Sequence, residues 1–498
     1  MNEFDLDPEE VKRLGYRAAE LVAAHTAGLR EDPVFGKVGE SAGVFDQPLP
    51  ETGRSADEVL DATRDHVLTH PFGNSHPRFF AFINATADPL GAVAEYLAAG
   101  MNSNCWGGDH AAIHVEDRVV RWLGEILGLP ASAEGILTSG GSMANFTALA
   151  AARRAMSPDV RETGFAGTPP LVVYASDEVH SCVDKAIDLL GIGRRQLRIL
   201  PTDDRFRIRT DDLKKAIASD RQAGLRPAIV VGTAGSVNTG AIDPLEELAD
   251  LCAREELWFH VDGAYGAMAC VSKELKPLFA GLERADSVAA DPHKWLYMPY
   301  EAGATLVREP GRLADAFRRP AAYLVHDPDS PVGGPVSFND RGPELSRGFK
   351  ALKVWMGLQR HGRQGYAAAV EHDVAMARFL ADEVRKRGDL ELLAEPGLSI
   401  VNFRYRPAGA ALEDDVLDRL NRRIVNRLVG TGAFFFAPTI LRGRTSLRVA
   451  IVNFRTQEDD LRALLDETAR AGKELLTDGG GRQRPATPSH LLRSRRIE

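Results

Sequence analysis

The chain has 498 residues, of which 44% are hydrophobic and 26% charged, with a formal net charge of −9. That composition belongs to a soluble globular protein long enough for more than one domain, and it excludes disordered, fibrous and small stapled classes. The acidic balance argues against a general nucleic-acid-binding surface.

Four cysteines, Cys105, Cys182, Cys252 and Cys270, are irregularly spaced with no C-x-x-C pair, which fits a reducing compartment. The N-terminus, MNEFDLDPEEVKRLGY, is acidic and polar, and no stretch approaches about eighteen consecutive apolar residues. The expectation is a cytoplasmic protein without a membrane span.

In chain order, Val11, Leu14, Ala18, Leu21, Val22 and His25 recur with the spacing of one helical face, predicting a helix over 11–29. A Pro- and Gly-rich stretch follows, then a second helical pattern in SADEVLDATRDHVL. Residues 1–85 therefore read as an N-terminal helical arm lying on a body. Farther on, PLVVYAS, RPAIVVGTAG, ELWFHVDGAY, RADSVAAD and AGATLVRE are near-continuous apolar runs alternating with helix-like segments. Such runs predict a mostly parallel sheet covered on both faces, so 86–363 is assigned to a large α/β domain. Residues 364–478 give a helix (GYAAAVEHDVAMARFLADEVRKRG), three strands (LSIVNFRYR, AFFFAPTIL, SLRVAIVNF) and a closing helix with Thr456 as its expected cap, a small α+β domain. The tail 479–498, with three glycines, two prolines and five arginines, predicts disorder. No internal repeat is present.

Ligands of parallel sheets sit outside the carboxyl ends of the strands, and four features fall there. Gly140-Gly141-Ser142 links a strand to an alanine-rich helix, a turn that aims free N–H groups at an anion, although glycine turns before helices are common. Asp262, in LWFHVDGAYG, is a carboxylate at a buried strand end, which needs a partner, or is simply a cap. Lys294, in DPHKW, follows another strand by three residues; desolvated, it would offer a neutral amine, whereas most lysines lie on the surface. His180, four residues past a strand, is alone more often a structural histidine. Together, a phosphate cradle, a carboxylate and an amine describe what pyridoxal phosphate requires.

The motifs HPRFFAF, VEDRVVRWLGEILGLP, HVDGAYG, DPHKW, ELSRGFKALKVW and LRVAIVNFRT, in that order, resemble the group II pyridoxal-phosphate-dependent amino acid decarboxylases, which include the aromatic-L-amino-acid and glutamate decarboxylases. The resemblance covers nearly the whole chain apart from the tail. It implies a fold-type I homodimer with active sites at the interface, pyridoxal 5'-phosphate as cofactor and an amino acid as substrate. By position it implies Lys294 as the Schiff-base lysine, Asp262 as partner of the pyridine nitrogen, Ala264 beneath the ring and His180 stacked above it. It also implies Gly141, Ser142, Ser236 and His293 near the phosphate.

The chain departs from the family pattern at several places. A gap-free count back from LSRGFKALKVW puts Phe338 where the aromatic decarboxylases carry a loop tyrosine that protonates the α-carbon, and phenylalanine has no proton to give. Decarboxylation to an amine ranks first. Oxidative decarboxylation to an aldehyde, ammonia and peroxide follows closely, unless Tyr323 or another loop residue is the donor. Asp291 replaces an asparagine common in the animal enzymes, and Val237 replaces a frequent threonine. Phe82, Asn104 and Trp106 are the expected substrate-pocket residues, with an aromatic amino acid the expected substrate; Phe79 and Phe80 are either walls or core. Two other chemistries carry less. A serine hydrolase at Ser142 lacks the second glycine of G-x-S-x-G, having Ala144 there, and His110 and His114 lack the glutamate of H-E-x-x-H, with Ala111 in its place.

Overall fold

The computed structural model describes residues 5–319, 334–409 and 412–478. Helix α1, Pro8–Gly28, starts where Asp7 accepts from Glu9 N and Pro8 occupies the first turn. Helix α2, Ala56–Thr63, opens with a reciprocal Ser55–Glu58 capping box. Arg13 and Arg17 on α1 pair with Asp57 and Asp61 on α2, and Arg30 reaches Asp460 in the closing helix. No residue of α1 is buried in this chain. Helices α3, Pro89–Met101, and α4, Ala111–Leu127, lead into the main sheet.

Seven strands form that sheet: β1 Glu134–Thr138, β2 Leu171–Ser176, β3 Leu197–Leu200, β4 Arg226–Thr233, β5 Trp258–Asp262, β6 Ser287–Ala290 and β7 Gly303–Val307. Their order is β1-β7-β6-β5-β4-β2-β3. Pairing is parallel from β6 through β5, β4 and β2 to β3, and only β7 runs antiparallel to its neighbours β1 and β6. Every residue of β1, β2, β5, β6 and β7 is buried, as their unbroken apolar runs predict for a sheet covered on both faces. The edge strand β3 escapes sequence reading because only Leu200 of its four residues is buried. The 16-residue helix α5, Gly141–Met156, lies on the sheet with Ala144, Ala148, Ala151 and Ala152 buried, small side chains that permit close approach.

A second sheet, order β10-β11-β9-β8, is wholly antiparallel and consists of β8 Leu390–Gly397, β9 Ile400–Tyr405, β10 Ala437–Leu441 and β11 Arg444–Ala450. Its core draws on Val401, Phe403, Leu447, Val449 and Phe80. The helix expected near 364 begins earlier, at Ala351, and runs to Lys386 through a break at Gly362. The sequence reading also missed β8, most of whose residues are half-buried. Thr456 does not cap the closing helix Glu458–Asp478: its hydroxyl donates to the Pro77 carbonyl at 2.8 Å and ties that helix to the N-terminal segment. The tail 479–498 lies outside the described residues.

Candidate active site

Four strand ends of the main sheet converge on one cavity. Beyond β1, Gly140 precedes Gly141, the first residue of α5. A side chain at 141 has no room, since a Cβ would lie 2.8 Å from Asp291 Oδ2 and 2.9 Å from the Ala264 methyl. The first-turn N–H groups have no carbonyl one turn earlier to bond, so Gly141 and Ser142 present donors and the positive end of the helix dipole. Beyond β2, His180 caps the helix Ser181–Leu189, its Nδ1 accepting from Cys182 N at 3.2 Å. Burial lowers the pKa of this imidazole against the opposing pull of Asp262, which favours the neutral ring with its hydrogen on Nε2.

Asp262 ends β5, is 7% exposed, and accepts from Ala264 N at 3.1 Å. Beyond β6, Pro292–Trp295 makes one helical turn that carries Lys294. Lys294 Nζ lies 2.8 Å from Asp291 Oδ2. His293 Nδ1 accepts from Ala302 N at 3.1 Å, and its ring packs on Tyr300 with centroids 4.4 Å apart. Burial lowers the pKa of His293 as well. Beneath this turn the fully buried Asp373 accepts from Trp295 Nε1 at 3.1 Å and from Tyr297 Oη at 2.7 Å, fixing the two residues that flank Leu296.

The cavity has a volume of about 460 Å³ and is bordered by Gly141, Ser142, His180, Asp262, Ala264, His293 and Lys294, with Phe82 on its wall. Ser236 is not on that border. Its hydroxyl lies 2.8 Å from Thr239 Oγ1 and serves the turn after β4, on the far side of Asp262 from the glycine turn. Asn104 and Trp106 also lie elsewhere: Asn104 Oδ1 accepts from Arg347 N at 3.0 Å, and the Trp106 carbonyl accepts from Asn339 N at 3.1 Å. Phe338 is fully buried in the main core, with the Arg341 and Arg347 guanidinium carbons 5.6 and 5.1 Å from its ring centroid. A ring covered by its own chain does not border this cavity. Phe338, the residue the gap-free count leads to, is therefore a core residue in this chain, and Tyr323 lies outside the described residues. Phe79 and Phe80 are core, Phe79 stacking on Phe435 at 5.0 Å.

Several cavity residues gave no sequence signal. Glu178 lies beside Ser236 and Asn238, and burial raises the pKa of its carboxyl. Arg448, on β11, donates to the Val237 carbonyl at 2.6 Å and to the Phe82 carbonyl at 3.1 Å, and burial lowers its pKa to about 10. A buried chain of hydrogen bonds runs from β5 to the glycine turn. Trp258 Nε1 donates to Ser287 Oγ at 2.9 Å, which lies 2.9 Å from His260 Nδ1; His260 Nε2 lies 2.7 Å from Asn145 Oδ1; Asn145 Nδ2 donates to the Gly141 carbonyl at 2.8 Å. Burial lowers the His260 pKa to about 4, so a neutral ring with hydrogen on Nε2 completes the chain in one direction. Ser142 has no histidine hydrogen-bonded to it among the described residues, so it forms no serine–base pair. His114 is occupied by Asp109 at 2.7 Å, and His110 only precedes α4.

A crowded glycine turn offering N–H groups, a buried carboxylate and a lysine amine on one cavity fit a phosphate-bearing aldehyde cofactor. Comparison with known proteins agrees. The model of the pyridoxal-dependent decarboxylase conserved domain matches residues 39–406. An aromatic-L-amino-acid decarboxylase of Bacillus atrophaeus is 35% identical over 477 residues, 95% of this chain and 97% of that protein. The acidic amino acid decarboxylase GADL1 of Homo sapiens is 30% identical over 442 residues, 87% of this chain and 84% of that one. The crystal structure of Oryza sativa TDC with PLP and tryptamine aligns with a TM-score of 0.89 at 28% identity, covering 94% of this chain and 99% of that one.

Proposed function

The chain belongs to the pyridoxal-dependent decarboxylase family, and from that premise we propose that it converts an aromatic L-amino acid to the corresponding amine and carbon dioxide. The observation that carries this reading is the convergence of Lys294, Asp262 and the first turn of α5 on one cavity. Pyridoxal phosphate, when bound, supplies an electron sink for the negative charge left on the α-carbon. Gly141 and Ser142 would hold its phosphate through backbone N–H groups at the helix terminus, with His293 alongside. Asp262 keeps a carboxylate where a cationic ring nitrogen is stabilised, and its bond to Ala264 N fixes its direction. The small Ala264 would leave room for a flat ring, and the neutral His180 would pack against it. Lys294 Nζ is the attachment point.

The Phe82 ring, 48% exposed, packs with Phe72 and Phe435 and gives the cavity an aromatic wall. That wall supports an aromatic side chain in the substrate. Arg448 is turned onto two backbone carbonyls, which does not favour an acidic side chain there. The aldehyde-forming alternative required Phe338 at the reacting carbon, and its burial in the core gives that alternative no support.

We further propose a homodimer. Helices α1 and α3 leave Val11, Tyr16, Val22, Val93, Tyr96 and Met101 between 44% and 65% exposed, an apolar face suited to the same face of a second copy. No helix among the described residues is long and apolar enough to cross a membrane.

The deciding measurement is product analysis with L-tryptophan, L-tyrosine and L-phenylalanine against L-glutamate and L-cysteine sulfinate. The expected result is amine equal to carbon dioxide from an aromatic substrate, with the cofactor fixed to Lys294 by borohydride. Turnover confined to the acidic substrates would refute the substrate assignment, aldehyde with peroxide the product, and label elsewhere than Lys294 the attachment site.

A further inference from the structure

Asp291 lies within the cofactor-binding machinery, yet its charge opposes what the cavity has to receive. The residue is 1% exposed. Its Oδ2 lies 2.8 Å from Lys294 Nζ and 3.7 Å from His293 Nε2, while Oδ1 has no partner among the described residues. The same Oδ2 lies 2.8 Å from the point where a Cβ on residue 141 would stand, so it borders the glycine turn as well. One carboxylate oxygen thus faces both the lysine amine and the anion cradle.

We propose that Asp291 restrains cofactor capture, holding the Lys294 ammonium in the cofactor-free protein and repelling the incoming phosphate, so that it sets how tightly and how fast pyridoxal phosphate is taken up. The inference rests on the pyridoxal-phosphate site described above and deepens it. Capture joins Nζ to the aldehyde carbon as a C=N bond and releases the aldehyde oxygen as water. The nitrogen that attacks must first be uncharged and free of the carboxylate. Breaking a buried ion pair leaves the second charge without a partner, which opposes the step. His293 is a poor replacement, since its Nδ1 is occupied by Ala302 N and burial favours its neutral form. At the glycine turn, a phosphate anion bonded to the Gly141 and Ser142 N–H groups has a carboxylate for a neighbour, and like charges in a partly desolvated site repel. Both effects act in one direction.

The two effects separate in experiment because pyridoxal lacks the phosphate. Asp291→Asn keeps the shape and removes the charge. Dissociation constants and capture rates are measured on cofactor-free protein by the change in cofactor absorbance, for pyridoxal phosphate and for pyridoxal. The expected result is that Asp291→Asn binds pyridoxal phosphate about tenfold tighter and captures it faster. Pyridoxal should gain less, because only release of the lysine contributes. The smaller neutral variant Asp291→Ser has to change capture in the same direction, which separates loss of charge from a specific effect of the amide. Unchanged or weaker binding of pyridoxal phosphate in both variants, while borohydride still fixes cofactor to Lys294, would overturn the restraint and leave the site intact. Failure of the wild-type protein to fix cofactor at Lys294 would instead overturn the site itself.

Discussion

Asp373 lies directly under the lysine turn, and its burial gives a pH dependence whose sign is opposite to that of a surface carboxylate. Removal from water pushes this carboxyl up to about 8, against the hydrogen bonds from Tyr297, Trp295 and Asn453 N that pull it down. In the unfolded chain an aspartate titrates near ~3.9. Between about pH 4 and pH 8 the folded protein therefore keeps a proton that the unfolded chain has lost, and stability falls as pH rises. One proton corresponds to about 1.4 kcal/mol per pH unit, or about 4 kcal/mol accumulated by pH 7. Asp243, His76 and His260 titrate lower. Asp243, raised to about 6 by burial, acts in the same direction but over a lower range, whereas His76 and His260, lowered to about 4, make stability rise with pH up to their unfolded value near ~6.5. The window from about pH 6.5 to 8 is thus the one in which Asp373 stands out, and Asp373→Asn, a mimic of the protonated acid, should remove about 2 kcal/mol of fall across it. Urea midpoints of the loaded protein and the variant, taken at half-unit pH steps, measure the difference. Parallel curves, with the variant less stable by a fixed amount, would mean that the three donors keep Asp373 ionised and would refute the reasoning.

Two further outcomes follow from the site. Phe338→Tyr puts a hydroxyl into a fully buried position and should cost about 1–3 kcal/mol of stability in denaturant unfolding while leaving the ratio of amine to aldehyde unchanged; a shift in that ratio would restore Phe338 to the reacting centre. Asn145→Leu cuts the hydrogen-bond chain from His260 to the Gly141 carbonyl, and the dissociation constant for pyridoxal phosphate should rise by about tenfold with little change for pyridoxal. Equal losses for both ligands would show that Asn145 supports the fold at large and not the phosphate turn.

What was legible in the sequence is what one strand and the next few residues specify. Unbroken apolar runs mark β2, β4, β5, β6 and β7, and the chemistry-bearing residue of each relevant run lies at the strand's end or within four positions after it, so Asp262, His180 and Lys294 were readable before any contact was known. Gly141 was readable as a turn, though its reason, the crowding by Asp291 and Ala264, was not, because those two residues come from other strands. Arg448 shows the same limit from the opposite side. It sits in β11, whose sequence RTSLRVA carries no sign of a cavity residue, and only the packing of the second sheet on the cavity carries it to the Phe82 and Val237 carbonyls.

The burial of Phe338 was not legible for a related reason. Counting positions along a loop keeps the order of residues but discards the anchors that decide where the loop goes. Here the anchor is Arg347, which donates to the carbonyls of Cys105 at 2.7 Å and Leu137 at 2.9 Å and pairs with the buried Glu116. Those bonds stitch the segment after Gly334 to β1 and to the loop after α3, and Phe338 is drawn beneath the guanidinium. Asn104, whose side chain accepts from Arg347 N, is drawn into the same knot. A charged pair buried at 2% and 0% side-chain exposure, not the pattern of the loop itself, decides which residues of these two loops face the core.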